Sequence, residues 1–242
     1  MKILIGGNGR MGSLIRQTAE LAGHTVIGMA DAFDLSALDS EEKADVVIDF
    51  SHRDNLPWIL DYVRKNNCAL VYGTTGLTDE MKQELVKLSK TNPVFFSANF
   101  SYGVAVLQQI LKTAVPLLSK QYDMELVETH HNQKADAPSG TAKALLEIMN
   151  PDHSFTEVYG RSGLIGKRGK EIGVHALRGG TEAGEHTVHF FGDNESITIT
   201  HHATNRQIFV NGALQAAEFL EGKKSGLYGM DDLIRMNQGG NE

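Results

Sequence analysis

One cysteine in 242 residues, Cys68, rules out an internal disulfide and points to a reducing compartment, the cytoplasm. It lies just before the apolar run Ala69-Leu70-Val71, the setting of a buried structural thiol rather than of a nucleophile. No apolar run approaches the roughly 20 residues that a membrane helix needs, so no spanning segment is expected. The start, Met1-Lys2-Ile3-Leu4-Ile5-Gly6, is too short in its apolar part for a secretory signal. Positive charge is scarce: 23 Lys and Arg against 30 Asp and Glu leave a formal net charge of -7. That excess argues against a nucleic-acid partner, which calls for a basic face to replace phosphate counterions. An anionic ligand must instead be held by local donors, meaning lysine, arginine and helix N-termini. Repeats, low-complexity tracts and Pro/Ser-rich linkers are also missing, so domain limits have to be read from topology.

What is present is a rhythm. Lys2–Ile5, Thr25–Met29, Asp45–Phe50, Ala69–Tyr72 and Val94–Phe96 read as short buried strands, separated by helical patterns such as Met11, Leu14, Ile15 and Leu56, Ile59, Leu60, Val63. This predicts a doubly wound α/β, Rossmann-like domain over residues 1–100, with Asn55 capping a helix that has Pro57 in its first turn. From Ser101 the rhythm changes. A long helix carries Val104, Leu107, Leu111 and Val115 on one face and ends or kinks near Pro116. There follow a strand near Met124–Glu128, a helix Thr141–Met149, a glycine-rich passage from Gly160 to Gly184, and a hairpin of His186–Phe191 with Ser196–His202. These predict an α+β second domain over 101–207, and the amphipathic segment Phe209 to Leu220 predicts a return to the first domain over 208–242.

Gly6-Gly7-Asn8-Gly9-Arg10-Met11-Gly12 directly follows the first strand and opens the first helix. Glycines there allow a tight turn and bring backbone N–H groups to a pyrophosphate, which the helix N-terminus stabilises. Asp31, about twenty residues on, stands where an acid accepts from an adenosine ribose 2′-hydroxyl, although a helix cap or loop aspartate fits the same position. Between Asp31 and Lys43 there is no Lys or Arg to clamp a 2′-phosphate. Two more loops leave strand ends at the edge where open α/β sheets bind ligands: Gly73-Thr74-Thr75-Gly76 and Ser97-Ala98-Asn99-Phe100-Ser101. Either one reads as a nicotinamide contact or as plain turn chemistry.

The densest chemistry is Glu128-Thr129-His130-His131-Asn132-Gln133-Lys134-Ala135-Asp136-Ala137-Pro138-Ser139-Gly140-Thr141-Ala142. An imidazole exchanges a proton near neutrality, an ammonium anchors an anion, and a hydroxyl-capped helix start offers N–H groups to a carboxylate. If both histidines end a strand, they point to opposite faces and do not share one proton-transfer role. No HExxH or Cys/His spacing is present, so no metal is expected.

In this order, the glycine fingerprint, the GTTG loop, SANFSYGV and ETHHNQKADAPSGTA resemble the 4-hydroxy-tetrahydrodipicolinate reductase (dihydrodipicolinate reductase) family of the bacterial lysine and diaminopimelate pathway. The resemblance covers the whole chain, including Ile172 to Gly180, Gly184 to Val188 and His201 to Arg206. It implies NADH and/or NADPH as cofactor, a small dicarboxylate substrate and a homotetramer. It also implies His130 as general acid, Lys134 as substrate binder that assists protonation, His131 at the substrate, and Ser139, Gly140 and Thr141 around a substrate carboxylate. The cofactor would lie on Gly6 to Gly12, Asp31, Gly73, Thr74, Thr75, Ser97, Ala98, Asn99 and Phe100. Two features depart from other members: Ala32-Phe33 where some carry arginine after the acid, and Asn132-Gln133 where others carry Arg-His. The competing readings are another imine or amino-acid dehydrogenase on the same plan, and a dinucleotide sensor without turnover.

Overall fold

The computed structural model describes residues 1–239, which divide into two compact units: Met1–Tyr102 together with the chain from Gln207 onward, and Gly103–Arg206. The first unit opens with β1 (Lys2–Gly6), α1 (Arg10–Leu21), β2 (Thr25–Ala30), β3 (Val46–Asp49), α2 (Leu56–Asn66), β4 (Ala69–Tyr72), α3 (Asp79–Leu88) and β5 (Pro93–Phe96). Thr78 caps α3 by accepting from the Met81 amide, and Asp79 and Glu80 fill its first turn, where carboxylates suit the positive end of the helix. Asn55 stands at the N-cap of α2 but its side chain makes no cap bond. It is drawn instead to the Ala32 amide, 23 residues away, and to the nearby Ser51 hydroxyl and Trp58 indole.

The second unit holds α4 (Tyr102–Leu118), β6 (Asp123–His130), α5 (Gly140–Met149), β7 (Thr156–Tyr159), β8 (Glu171–Arg178), β9 (Gly184–Gly192) and β10 (Glu195–Ala203). Pro116 lies inside α4 two residues from its end, so only the last turn loses a donor. Helix α5 starts at Gly140 rather than Thr141, because Ser139 is the cap and accepts from the Ala142 amide. The glycine-rich passage conceals β8, which pairs in parallel with both β6 and β7. The sheet order is β10-β9-β6-β8-β7, with β9 antiparallel to β6 and β10. Leu107 and Leu111 of α4 and Leu145 and Met149 of α5 cover one face, against Met124, Leu126, Ile172, Val174, Val188 and Phe190. Each large side chain buried this way stabilises by about 2 kcal/mol relative to exposure.

The chain then returns to the first unit as α6 (Gln207–Leu220), β11 (Gly226–Tyr228) and α7 (Met230–Asn237). The short β11 had no counterpart in the sequence pattern; it adds a sixth strand beside β5. All strands of this sheet are parallel, in the order β11-β5-β4-β3-β1-β2. Helices α2 and α3 pack on the face of Leu4, Val47 and Leu70, while α1 and α6 pack together on the opposite side. The Rossmann-like expectation is met, and the direction of winding reverses between β1 and β3, where Gly6 and Asp49 are register partners. Among the described residues no helix is long and apolar enough to cross a membrane.

Candidate active site

In the first unit the turns after β1, β2, β4 and β5 gather the residues expected at a dinucleotide. Gly7 adopts φ of +93°, donates its amide to the Ala30 carbonyl at 2.7 Å, and has no room for a Cβ, which would stand 2.5 Å from Ser51 Cβ. Gly12 is similarly committed: a Cβ there would stand 2.0 Å from the Gly7 carbonyl, so α1 packs tightly behind the turn. Gly6 is buried, Met11 half-buried, and Asn8, Gly9 and Arg10 are exposed at the start of α1. Gly9 caps that helix without a side-chain bond, and nothing lies within 4 Å of its Cβ position. A backbone cradle open at a helix N-terminus and closed behind by two glycines fits a pyrophosphate.

Asp31 lies just beyond β2 and does two things at once. Its Oδ2 accepts from Asn8 Nδ2 at 2.9 Å, and its Oδ1 accepts from the Phe33 and Asp34 amides at 2.9 and 3.1 Å. The loop-aspartate role is therefore present beside the fingerprint contact. In the GTTG turn Thr75 is exposed, Gly73 is half-buried against the Phe50 ring, and Thr74 is buried with its hydroxyl committed to Asp49. In the turn after β5, Ser97 donates to the Asn99 carbonyl at 2.7 Å and Ala98 is exposed. Phe100 is buried between Phe50 and Phe95, so its side chain belongs to the core.

The second cluster grows from strand alternation. Glu128 and His130 are two residues apart on β6, so both project to the helix-covered face, at the edge of the apolar core. The imidazole Nδ1 meets Glu128 Oε2 at 2.5 Å. Register brings the rest: Arg178 of β8 pairs with His130, and His186 of β9 pairs with Glu128. Arg178 grips Glu128 with both terminal nitrogens, at 2.9 and 2.8 Å, and the Ser139 amide donates to Oε1 at 3.1 Å. Ser139 Oγ and His186 Nε2 lie 3.0 Å apart, and the rings of His130 and His186 meet edge to face at 5.2 Å. Behind His130, a Cβ on Gly184 would come within 3.0 Å of Nε2.

Electrostatics follow from these contacts. Burial opposes the charged form of Glu128, yet Arg178, His130 and the Ser139 amide hold its carboxyl below the usual range. Burial pushes His130 below the ordinary histidine value, with Lys134 and Arg178 acting the same way and Glu128 opposing. His186 is pushed down to about 4 by burial, with the His130 charge adding to it. At neutral pH both imidazoles are therefore uncharged while Glu128 and Arg178 are an ion pair.

His131 lies past the strand end, half-buried, with its amide on the Glu182 carbonyl, so the two histidines have separate settings. Lys134 Nζ reaches Asp136 Oδ1 at 2.7 Å. Gly140 is exposed, with nothing within 4 Å of its Cβ position, and Thr141 is half-buried in the first turn of α5. Sequence reasoning left Arg178 outside the site and gave no role to Glu128 or His186. Counting back two residues from His130 along a strand was the one local signal for Glu128. No group of three His, Cys, Asp or Glu side chains is placed to hold a metal among the described residues.

Residues 1–100 match the family described as "Dihydrodipicolinate reductase, N-terminus" and residues 103–234 match "Dihydrodipicolinate reductase, C-terminus". The second match runs through α6 and β11 and into α7, elements that structurally complete the first unit. A 4-hydroxy-tetrahydrodipicolinate reductase of Brachyspira hyodysenteriae is 44% identical over 237 residues, 97% of this chain and 100% of that one. One from Staphylococcus aureus is 44% identical over 243 residues, 96% and 100% of the two chains. Among solved structures, a dipicolinate-bound dihydrodipicolinate reductase from a Paenisporosarcina species superposes with a TM-score of 0.77 at 22% identity, covering 96% of this chain and 98% of that one. A probable dehydrogenase from Thermotoga maritima shares the fold at a TM-score of 0.60 and 11% identity, over 96% and 92% of the chains. With both halves matched and full-length relatives at this identity, the chain belongs to the dihydrodipicolinate reductase family, whose N-terminal domain binds a nicotinamide dinucleotide.

Proposed function

We propose that this protein is an NAD(P)H-dependent oxidoreductase that reduces 4-hydroxy-tetrahydrodipicolinate to tetrahydrodipicolinate, with loss of water, in diaminopimelate and lysine biosynthesis. The first unit is the dinucleotide-binding domain and Gly103–Arg206 the substrate domain. The observation that carries the reading is the Glu128–His130 pair beside the Ser139-capped helix, in a chain whose full-length relatives bear this activity. A reduced nicotinamide supplies two electrons and one hydrogen; the product needs a second hydrogen, delivered as a proton. His130 is the residue that delivers it.

Glu128 is ionised and can only accept, so it holds the imidazole proton on Nδ1 and leaves Nε2 as the exchanging atom. In the free protein burial keeps the ring neutral. Carboxylates of an arriving substrate add negative charge, which raises the imidazole pKa and lets Nε2 take up a proton to donate. Lys134 and the N-terminal turn of α5, from Ser139 through Gly140 and Thr141, bind those carboxylates, and His131 lines the substrate. Donors already fixed in place stabilise charge that grows as the conjugated imine is reduced.

NADH is the expected cofactor. Asp31 with Asn8 suits a ribose hydroxyl, and a 2′-phosphate would meet that carboxylate with Ala32 and Phe33 rather than a cation beside it. Asp34, Asp39, Glu41 and Glu42 deepen the like charge along the same loop. A homotetramer fits the uncovered face of the five-stranded sheet, where Leu177 and Phe191 are exposed. A cytoplasmic setting fits the lone Cys68, buried, with its thiol pushed up to about 12 by burial.

The test is oxidation of NADH and NADPH with substrate generated in place from pyruvate and aspartate semialdehyde by the preceding synthase. Turnover with a lower KM for NADH is expected; no turnover with either cofactor removes the reductase assignment, and equal KM values remove the NADH preference.

A further inference from the structure

Asp49 ends β3 beside Gly6 at the point where the winding of the sheet reverses, and it is wholly buried. Its carboxylate is the common acceptor of hydroxyls from two different turns. Thr74 Oγ1, after β4, donates to Asp49 Oδ2 at 2.6 Å and accepts the Ser51 amide at 2.7 Å. Ser51 Oγ, after β3, donates to Oδ1 and accepts from Asn55 Nδ2 at 2.6 Å. Asn55 Oδ1 in turn accepts the Ala32 amide at 2.7 Å, in the turn after β2. The turn after β1 is held by close approach: a Cβ on Gly6 would stand 2.3 Å from Asp49 Oδ1, and one on Gly7 2.5 Å from Ser51 Cβ.

A buried carboxylate is an expensive way to fill space at a sheet end, because an apolar side chain there needs no desolvation. Its gain is geometric. The turns after β3 and β4 share one acceptor, Asn55 links the turn after β2 to them, and the turn after β1 packs against Asp49 and Ser51. Order present beforehand does not have to be supplied by the ligand. With no exposed surface, Asp49 cannot touch a ligand itself, so whatever it does for binding it does through Ser51, Thr74 and Asn55.

We propose that Asp49 is the positioning residue of the dinucleotide site, setting the spacing of the turns after β1, β2, β3 and β4 so that they receive the cofactor in one fixed arrangement. The proposal rests on the dinucleotide reading of the first unit. Its test measures NADH affinity by the fluorescence of the bound reduced nicotinamide, alongside KM for NADH and for substrate, in Asp49→Asn, Thr74→Val and Thr74→Ser. Asp49→Asn and Thr74→Val are expected to weaken NADH about tenfold, in line with the loss of a buried hydrogen bond, while substrate KM stays within about twofold. Thr74→Ser, which keeps the hydroxyl, is expected to restore affinity to within about twofold, a recovery that mere loss of packing would not produce. NADH affinity unchanged in Asp49→Asn and Thr74→Val, Thr74→Ser as weak as Thr74→Val, or substrate KM rising in step with that for NADH would each overturn the proposal. If Asp49→Asn does not fold, the Thr74 pair decides. Wild type that binds neither NADH nor NADPH defeats the dinucleotide reading itself, an outcome distinct from variants that bind as wild type does.

Discussion

Glu128 and His130 occupy alternate positions on one face of β6, and the buried carboxylate closes on the imidazole Nδ1 while Arg178 holds both of its oxygens. The carboxylate thus sets the tautomer, and the arginine keeps the carboxylate ionised. Glu128→Gln replaces an acceptor with an amide that can present N–H to Nδ1, which moves the ring proton to Nε2 and misaligns the acid. The expected result is a fall in kcat on the order of a hundredfold, the usual scale for losing acid catalysis, with substrate KM within about threefold. A kcat equal to wild type would remove the orienting role.

The pH profile separates free from substrate-bound enzyme. A general acid must be protonated, so rate falls as pH rises through its pKa. Burial first, then Lys134 and Arg178, hold His130 below the ordinary value in the free protein, so the basic limb of kcat/KM lies below that of an unperturbed histidine. Bound carboxylates raise it, so the basic limb of kcat lies at higher pH. Coincident limbs in the two profiles would contradict an imidazole whose charging depends on the substrate.

Arg178→Gln tests the same cluster from the other side. Glu128 has no exposed surface, and removing its cation leaves a buried carboxylate held only by His130 and one amide. Breaking a buried pair in this way costs about 3 kcal/mol, read as a lower Tm. Because Arg178 also lowers the His130 pKa, the basic limb of kcat/KM moves to higher pH. Unaltered stability together with an unaltered limb would mean that the ion pair is dispensable.

Much of this molecule was legible in its pattern of residues, and the gaps have a common cause. Strands β1 to β5 declared themselves because each is a β-branched or aromatic run between turn residues. Strand β8 did not, since Gly173 interrupts its apolar run and glycines surround it; pairing with β6 and β7 makes it a strand. The three-residue β11 exists only through β5. His130, Lys134 and Ser139 stood together in one segment and were recognisable as chemistry. Arg178 read equally as a substrate cation or a surface residue, because its partner Glu128 lies 50 residues away. Asn55 looked like a helix cap for the same reason: Ala32, whose amide its side chain accepts, lies 23 residues away. Asp49 read as one more strand residue, and nothing nearby in sequence signals a buried carboxylate.

Asp49 also makes a prediction through stability. Burial first, opposed by the Ser51 and Thr74 hydroxyls, raises its carboxyl from 3.8 to about 6. A raised folded-state pKa means that the native protein keeps a proton which the unfolded chain has already released. Its contribution to stability is therefore fully present below about 3.8 and is lost as pH rises through about 6. A shift of roughly two units corresponds to about 3 kcal/mol. His186, lowered by burial from 6.5 to about 4, works in the opposite direction: its contribution is present above 6.5 and is lost as pH falls through about 4. The two nearly cancel between pH 4 and 7, so the wild-type curve alone conceals both. Subtracting the Asp49→Asn curve removes everything the two proteins share. The unfolding free energy of wild type minus that of Asp49→Asn, from urea titrations, is expected to fall by about 3 kcal/mol from pH 4 to pH 7. A difference that stays level across that range would show that Asp49 is ionised in the native protein throughout, with its charge already balanced by Ser51 and Thr74.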